Sequence, residues 1–166
     1  MRETGTHAVR GGREWAALAG FVLLTYAVAA AGALASSNAA EVYASLDRPG
    51  WAPPAWLFGP VWTLLYATIA LSGWLVWRCA GHPERRKALA WWGVQLALNL
   101  AWTPLFFGAR RYDVALLDIL LLVAALVVTV RLFHRVHRTA GLLLIPYLGW
   151  VGFATVLNAA IWQANT

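Results

Sequence analysis

Long apolar stretches alternate with short polar segments along the whole chain. Four stretches contain no Asp, Glu, Lys or Arg: residues 15–40, 49–77, 88–109 and 139–166. A fifth, 114–130, carries a single charged residue, Asp118. A hydrocarbon layer of about 30 Å requires about 20 apolar residues of α-helix, and in lipid the backbone must satisfy its own hydrogen bonds. The pattern predicts an all-α membrane protein, a bundle of five transmembrane helices.

The polar segments set the helix boundaries. We predict an N-terminal cytoplasmic tail over residues 1–14 and helices over 15–35, 55–77, 88–108, 114–133 and 139–162. The loops that join the last four helices are short, so these helices should be antiparallel neighbours. Pro146 removes a backbone hydrogen bond within the last helix, which predicts a kink there.

The loop over residues 36–54 is the longest connection. Ala39 to Leu46 can form one or two turns of helix, and Pro49, Pro53 and Pro54 stiffen the approach to the second helix. A loop of this length is either a lid over one end of the bundle or a plain connector that crosses it.

The first apolar stretch has a second interpretation, a cleaved signal peptide. Arg2, Arg10 and Arg13 precede it, and Ala33-Leu34-Ala35 has the pattern of a signal-peptidase site. The 21 residues from Trp15 to Ala35 exceed the usual length of a signal core, which favours a retained helix.

Composition and charge agree with a membrane protein. Hydrophobic residues make up 61% of the chain and charged residues 12%. The net charge of +6 does not indicate nucleic acid binding, because the basic residues lie in short loops beside the apolar stretches. With five spans, one side holds Arg2, Arg10, Arg13, Arg78, Arg85, Arg86, Lys87, Arg131, Arg135 and Arg138, and the other holds Arg48, Arg110 and Arg111. The positive-inside rule then predicts a cytoplasmic N-terminus and an external C-terminus.

Aromatic and amide side chains share helix faces. Of eleven tryptophans, those near the span ends fit an interfacial belt, whereas Trp62, Trp102 and Trp150 lie further along their spans. Helical spacing groups them into three faces: Phe58, Trp62 and Tyr66; Trp91, Gln95, Asn99, Trp102 and Phe106; and Tyr147, Trp150, Ala154 and Asn158. Amides are costly against lipid, so these faces should point inward. They form either a pocket for a large flat ligand or polar contacts between helices.

Other candidate residues are fewer. Asp118 is the only acid within a predicted span, and we favour a structural role, protonated or accepting a hydrogen bond from an indole or Asn99. His134 and His137 lack a Cys or carboxylate partner for a metal site, so no metal and no obligatory cofactor are expected. On the opposite face of the third helix, Gly93, Ala97 and Ala101 form a small-residue stripe that suits close packing within the bundle or a dimer.

The segment RPGWAPPAWLFGPVWTLLY, Arg48 to Tyr66, resembles the tryptophan-rich sensory protein family, TspO/MBR, whose eukaryotic relatives are the translocator proteins or peripheral benzodiazepine receptors. The resemblance continues in WWGVQLALNLAWTPLFFG from Trp91, in ALLDILLL from Ala115 and in GLLLIPYLGWVGFATVLNAAIW from Gly141. It implies a five-helix bundle that forms homodimers and binds porphyrins, including haem and protoporphyrin IX, and benzodiazepine-type or sterol-like ligands.

The resemblance also implies a ligand pocket beneath the first long loop. Carried over by motif, its residues are Tyr43, Trp51, Phe58, Trp62, Asn99, Trp102, Phe106, Tyr147, Trp150 and Ala154. The Tyr and Arg of the animal sterol motif are absent from Leu157 to Gln163, which argues against cholesterol binding.

Three functions are compatible with this pattern. We favour a membrane receptor or sensor for porphyrins. The alternatives are a tetrapyrrole transporter and an enzyme that degrades porphyrin with light and oxygen, in which Trp62 and Trp150 would be the catalytic electron partners.

Overall fold

In the computed structural model, the backbone is described for residues 4–165 and the side chains for residues 11–165. Arg2, the Arg10 side chain and Thr166 lie outside these described parts. The first helix, α1, extends over Thr4–Ala35 and therefore begins well before residue 15, where the apolar pattern begins. The difference arises because apolar length limits a membrane span but does not limit a helix that continues beyond it.

Helices account for most of the described chain. After α1 come α2 (Ala39–Ser45), a 3-10 turn (Ala55–Leu57), α3 (Phe58–Arg78), α4 (Arg85–Thr103), a π-turn (Pro104–Gly108), α5 (Tyr112–Val136), α6 (Arg138–Leu143) and α7 (Ile145–Ala164). The described residues contain no strand, which confirms the all-α class. Within the described residues, four segments are long and apolar enough to cross a membrane: Gly11–Ala35, Ala55–Arg78, Tyr112–Val136 and Arg138–Ala164.

Two of the predicted helices are interrupted near a proline. In the π-turn after α4, the Ala109 amide donates to the Pro104 carbonyl, with N and O 2.8 Å apart. The last predicted helix is divided at Leu144 into α6 and α7, two residues before Pro146. Because proline has no N–H, the hydrogen bond back to the preceding turn is missing, and the helix breaks there.

The helices close into a bundle. α1 packs against α3 and α4, α4 packs against α5, α5 packs against α6 and α7, and α6 packs against α3. We call the end that contains residues 78–87 and 131–138 the basic end, and the end that contains residues 36–57 and 104–111 the lid end. Most of the large hydrophobic cluster, including Trp92, Phe133 and Leu144, lies between the helices toward the basic end.

Polar contacts and small residues hold the basic end together. Trp74 Nε1 donates to the Glu14 carbonyl (3.0 Å), and Arg78 pairs with the Glu14 carboxylate (3.1 Å), so α1 is tied to α3. The Nδ1 atom of His137 accepts from the Ala140 amide at the start of α6. A Cβ atom added at Gly141 would lie 2.8 Å from the backbone of His134, which shows how closely α6 approaches α5.

Candidate functional site

A cavity of about 430 Å³ lies at the lid end, between α1, α3, α4, α5 and α7 and beneath α2. Its wall combines large aromatic side chains with small residues. The lining residues are Tyr26, Ala29, Gly32, Ala33, Ser36, Ala39, Ala40, Tyr43, Ala55, Phe58, Trp62, Thr63, Tyr66, Asn99, Trp102, Thr103, Phe107, Ile119, Leu122, Trp150, Val151 and Ala154. None of these described lining residues is charged, so the cavity suits an apolar ligand with few polar groups.

The first long loop covers this cavity. Its helix α2 occupies most of the segment in which the sequence predicts one or two turns, and it contributes Ala39, Ala40 and Tyr43 to the lining. The Tyr43 side chain is buried, and its hydroxyl donates to the Pro53 carbonyl (2.8 Å) within the same loop. The loop therefore forms one wall of the cavity, and we call it the lid.

The C-terminal end of α7 holds the lid in place. The Asp47 amide donates to Asn165 Oδ1 (3.1 Å), and Asn165 Nδ2 donates to the Asp47 carbonyl (2.9 Å). Asn165 Nδ2 also donates to the Ile161 carbonyl (2.8 Å) within the last turn of helix. Both backbone polar groups of Asp47 are thus bound to one side chain, an arrangement we call the Asn165 latch.

Aromatic rings from α3 and α7 contact each other at the wall of the cavity. The rings of Phe58 and Trp150 meet edge to face with centroids 5.8 Å apart. Trp62 contacts Tyr147 in the same manner at 6.1 Å. On α4, Trp102 lines the cavity, and Phe106 stacks behind it at 4.9 Å. Ring edges and faces of this kind favour contact with a flat ligand.

Amide side chains cross-link the helices around the cavity. The Tyr66 hydroxyl donates to Asn99 Oδ1 (2.6 Å), and Asn99 Nδ2 donates to the Tyr147 hydroxyl (3.0 Å). Trp102 Nε1 donates to Asn158 Oδ1 (3.1 Å), and Asn158 Nδ2 donates to the Tyr112 carbonyl (2.9 Å). Asn99 and Asn158 are both buried, as their cost in lipid predicts. Asn99 combines the two predicted roles, since it joins helices and lines the cavity.

One hydrogen-bond donor of the cavity wall has no acceptor. Trp150 Nε1 is buried and lacks a partner among the described residues. Two buried oxygen atoms, Gln95 Oε1 and Asp118 Oδ2, also lack a hydrogen-bond partner within the described part of the chain. Burial of an unpaired N–H is unfavourable, so a ligand atom that accepts from Trp150 would be stabilised.

Seven of the ten predicted ligand residues line the cavity: Tyr43, Phe58, Trp62, Asn99, Trp102, Trp150 and Ala154. Trp51 does not, because it lies outside the lining with 51% of its surface exposed and its ring edge on Phe153. Tyr147 is fully buried behind the lining, where its ring contacts Trp62 and its hydroxyl accepts from Asn99.

Phe106 is the third predicted residue outside the lining, and Phe107 lines the cavity instead. Phe106 was carried over by motif, and α-helical spacing placed it on the same face as Asn99. The π-turn that begins at Pro104 adds a residue to the turn and so shifts the positions that face inward. Phe106 is buried behind the wall, with 2% of its surface exposed.

The part of the cavity wall that α1 contributes was not predicted from the sequence. Ala29, Gly32, Ala33 and Ser36 recur at spacings of three and four and line the cavity together with Tyr26. The same spacing of small residues indicated a packing face on the third predicted helix, which is α4, so it could have identified this face of α1 as well. Tyr66 also lines the cavity; it belonged to the predicted face of Phe58, Trp62 and Tyr66 but was not among the predicted ligand residues.

Asp118 does not accept the hydrogen bond from Asn99 that was one of its predicted interactions. It is buried on α5 and does not line the cavity. Asn99 donates to Tyr147 rather than to Asp118, because Tyr147 lies opposite it on α7. The described residues contain no cluster of three or more His, Cys, Asp or Glu side chains that could hold a metal ion.

The fold and the cavity define an all-helical integral membrane protein with an internal aromatic site. Residues 21–163 match the TspO/MBR family, and the chain belongs to that family. It is 43% identical to the human translocator protein over 125 residues, which cover 74% of each chain. It is 39% identical to the tryptophan-rich protein TspO of Archaeoglobus fulgidus over 145 residues, or 87% of this chain and 94% of the relative. The tryptophan-rich sensory protein of Cereibacter sphaeroides is 36% identical over 152 residues, or 92% and 93% of the two chains.

Proposed function

We propose that this protein is a membrane receptor or sensor that binds porphyrins, such as haem and protoporphyrin IX, in the cavity beneath α2. The observation that carries the proposal is the uncharged aromatic wall of Phe58, Trp62 and Trp150 around a volume of about 430 Å³. That volume falls in the usual range for small-molecule sites, about 300–1,000 Å³. A porphyrin offers a wide apolar face, and each good aromatic contact contributes about 0.5–1.5 kcal/mol beyond area burial. Benzodiazepine-type and other flat hydrophobic ligands suit the same wall.

Degradation of the bound porphyrin with light and oxygen is the second candidate. Trp62 and Trp150 both line the cavity, so both can touch a bound ring. Trp62 also contacts the rings of Tyr66 (5.6 Å) and Tyr147 (6.1 Å), which are further oxidisable groups. A transporter of the same ligands is the third candidate, tested by porphyrin flux into sealed vesicles.

Titration of protoporphyrin IX by tryptophan quenching tests binding. Trp62→Ala is expected to reduce affinity about tenfold through lost ring contact, whereas Trp62→Phe and Trp150→Phe should change it little. Trp15→Phe is the matched control, because Trp15 is 70% exposed and far from the cavity lining. Parent-like affinity in both Trp62→Ala and Trp150→Ala would place the ligand elsewhere.

Illumination of the purified porphyrin complex separates binding from catalysis. If the protein degrades its ligand, products form only with oxygen, and Trp62→Phe and Trp150→Phe slow their formation more than they weaken binding, because a phenyl ring is far harder to oxidise than indole. Equal product formation in parent, variants and free porphyrin would exclude a catalytic role for both residues.

We further propose five spans, with α4 as the fifth, a cytoplasmic N-terminus and an external C-terminus in the cell membrane. The first turn of α4 carries Arg85, Arg86 and Lys87, and these charges lower the mean hydropathy of the helix. The C-terminal end of α4 nevertheless borders the cavity, as the four apolar spans do. The excess of basic residues at the basic end supports the orientation. A reporter fused after Thr166 should be active only outside the cytoplasm, and cytoplasmic activity would reverse the assignment.

A homodimer through the outer face of α4 completes the proposal. Gly93 and Ala97 are exposed, and a Cβ atom added at Gly93 would meet nothing within 4 Å, which supports contact of these two positions with a second copy. Ala97→Leu should weaken the dimer in detergent and leave porphyrin affinity intact. Ala124→Leu, an exposed position on α5, is the control, and equal dimerisation of the two variants would remove α4 from the interface.

A further inference from the structure

We propose that Arg48 recognises an acidic group of the ligand at the mouth of the cavity, which makes the site selective for flat hydrophobic acids over their neutral analogues. This inference rests on the proposed porphyrin function and assigns binding of the ligand's carboxylates to the Arg48 guanidinium. The described residues that line the cavity carry no charge. A carboxylate buried there without a partner would be strongly destabilised, so a ligand carboxylate should stay at the cavity edge, where a cation can pair with it.

Arg48 is a cation in contact with the cavity wall. Its guanidinium carbon lies 4.5 Å from the centroid of the Tyr43 ring, and Tyr43 lines the cavity. The Arg48 side chain is exposed to solvent, and it is linked to the cavity lining through the Tyr43 ring. A guanidinium offers several N–H donors in a planar fork that matches the two oxygens of a carboxylate.

No carboxylate of the described residues forms an ion pair with Arg48. The ion pairs among the described side chains join Arg78 to Glu14, Arg111 to Asp113 and Arg135 to Glu84, and none includes Arg48. Arg111, which lies at the same end of the bundle, is therefore already bound to a carboxylate, whereas the side chain of Arg48 contacts the Tyr43 ring and, within the described part of the chain, no carboxylate. Its hydrogen-bond donors remain accessible for an acidic ligand.

The backbone around Arg48 is fixed before ligand binds. The preceding residue, Asp47, is held through both backbone groups by the Asn165 latch. The following residue is Pro49, whose ring restricts the chain further. A side chain on a restrained backbone loses less freedom on binding, which favours a specific contact over a loose one.

The other charges of the lid require the interaction to be short-ranged. Glu41 and Asp47 are exposed on the same loop, so the lid as a whole does not attract anions. Arg48 must then act by direct contact with the carboxylate. Screening by salt weakens such a contact less than it weakens long-range attraction.

The test compares protoporphyrin IX with its dimethyl ester, titrated into the full-length protein in neutral detergent. The parent should bind the diacid about tenfold more tightly than the ester, the gain expected from a hydrogen-bonded charge. Arg48→Gln should lose most of that preference by weakening diacid binding alone, and Arg48→Lys should restore part of it. Arg110→Gln removes another exposed arginine from the same end of the bundle and should keep the full preference.

Two results would overturn the inference while the porphyrin function stands. One is a parent that binds diacid and ester equally. The other is an Arg48→Gln variant that weakens both ligands to the same extent, because Arg48 would then only support the Tyr43 ring. A parent that binds neither ligand would overturn the proposed function itself, and the role of Arg48 with it.

Discussion

At the basic end of the bundle, helices approach so closely that two glycines have no room for a side chain, whereas at the lid end they surround a cavity of about 430 Å³. A Cβ atom on Gly73 would lie 2.8 Å from Phe21 and 2.9 Å from Trp92, and one on Gly141 would lie 2.8 Å from His134. At the lid end, the nearest atom to a Cβ on Gly32 is 3.6 Å away, on Thr103.

This contrast shows how one bundle combines a stable core with an open site. Small residues let helices close together at the basic end, so dispersion contacts accumulate there. At the lid end, α3 and α7 contact each other through large rings such as Phe58 and Trp150. Stability and ligand binding should therefore respond to different substitutions.

The largest effect is expected from Gly141→Ala. The new Cβ atom would meet the backbone of His134, which cannot rotate away, so the free energy of unfolding should fall by about 1–3 kcal/mol. Gly149→Ala is the control, because nothing lies within 4 Å of its added Cβ and alanine favours helix. The measurement is the midpoint of thermal unfolding in detergent micelles. Equal midpoints for the two variants would show that the basic end is not tightly packed.

Ala154→Leu tests the lid end. The larger side chain fills part of the cavity, so porphyrin affinity should fall about tenfold while the unfolding midpoint stays the same or rises. Ala124→Leu adds the same atoms on an exposed face of α5 and should leave affinity unchanged. A large loss of stability in Ala154→Leu, with affinity retained, would mean that this position belongs to the packed core.

The smallest effect is expected at the Asn165 latch. Asn165→Ala removes both hydrogen bonds to Asp47, so the lid should open more often and porphyrin should dissociate a few times faster. The unfolding midpoint should change little, because Asn165 is exposed. Stopped-flow exchange of bound porphyrin measures the rate, and Gln163→Ala, an exposed neighbour, is the control. An unchanged rate would show that the lid does not limit ligand release.

The sequence by itself determined the helical class, the membrane setting and the inward faces of Asn99 and Asn158. Each of the five predicted segments is helical, and the short helix in the first loop was anticipated as well. These features depend on local chemistry, because apolar length and the cost of an amide in lipid can be evaluated one segment at a time.

Only the tertiary structure decided which side chains meet in the cavity. The π-turn placed Phe107 in the wall instead of Phe106, and the packing of α1 against α3 and α4 brought its small residues to the cavity. The latch joins Asp47 to Asn165, which are 118 positions apart. Such contacts depend on the distances between helices, and these are set by how all the side chains pack together rather than by the pattern within any one segment.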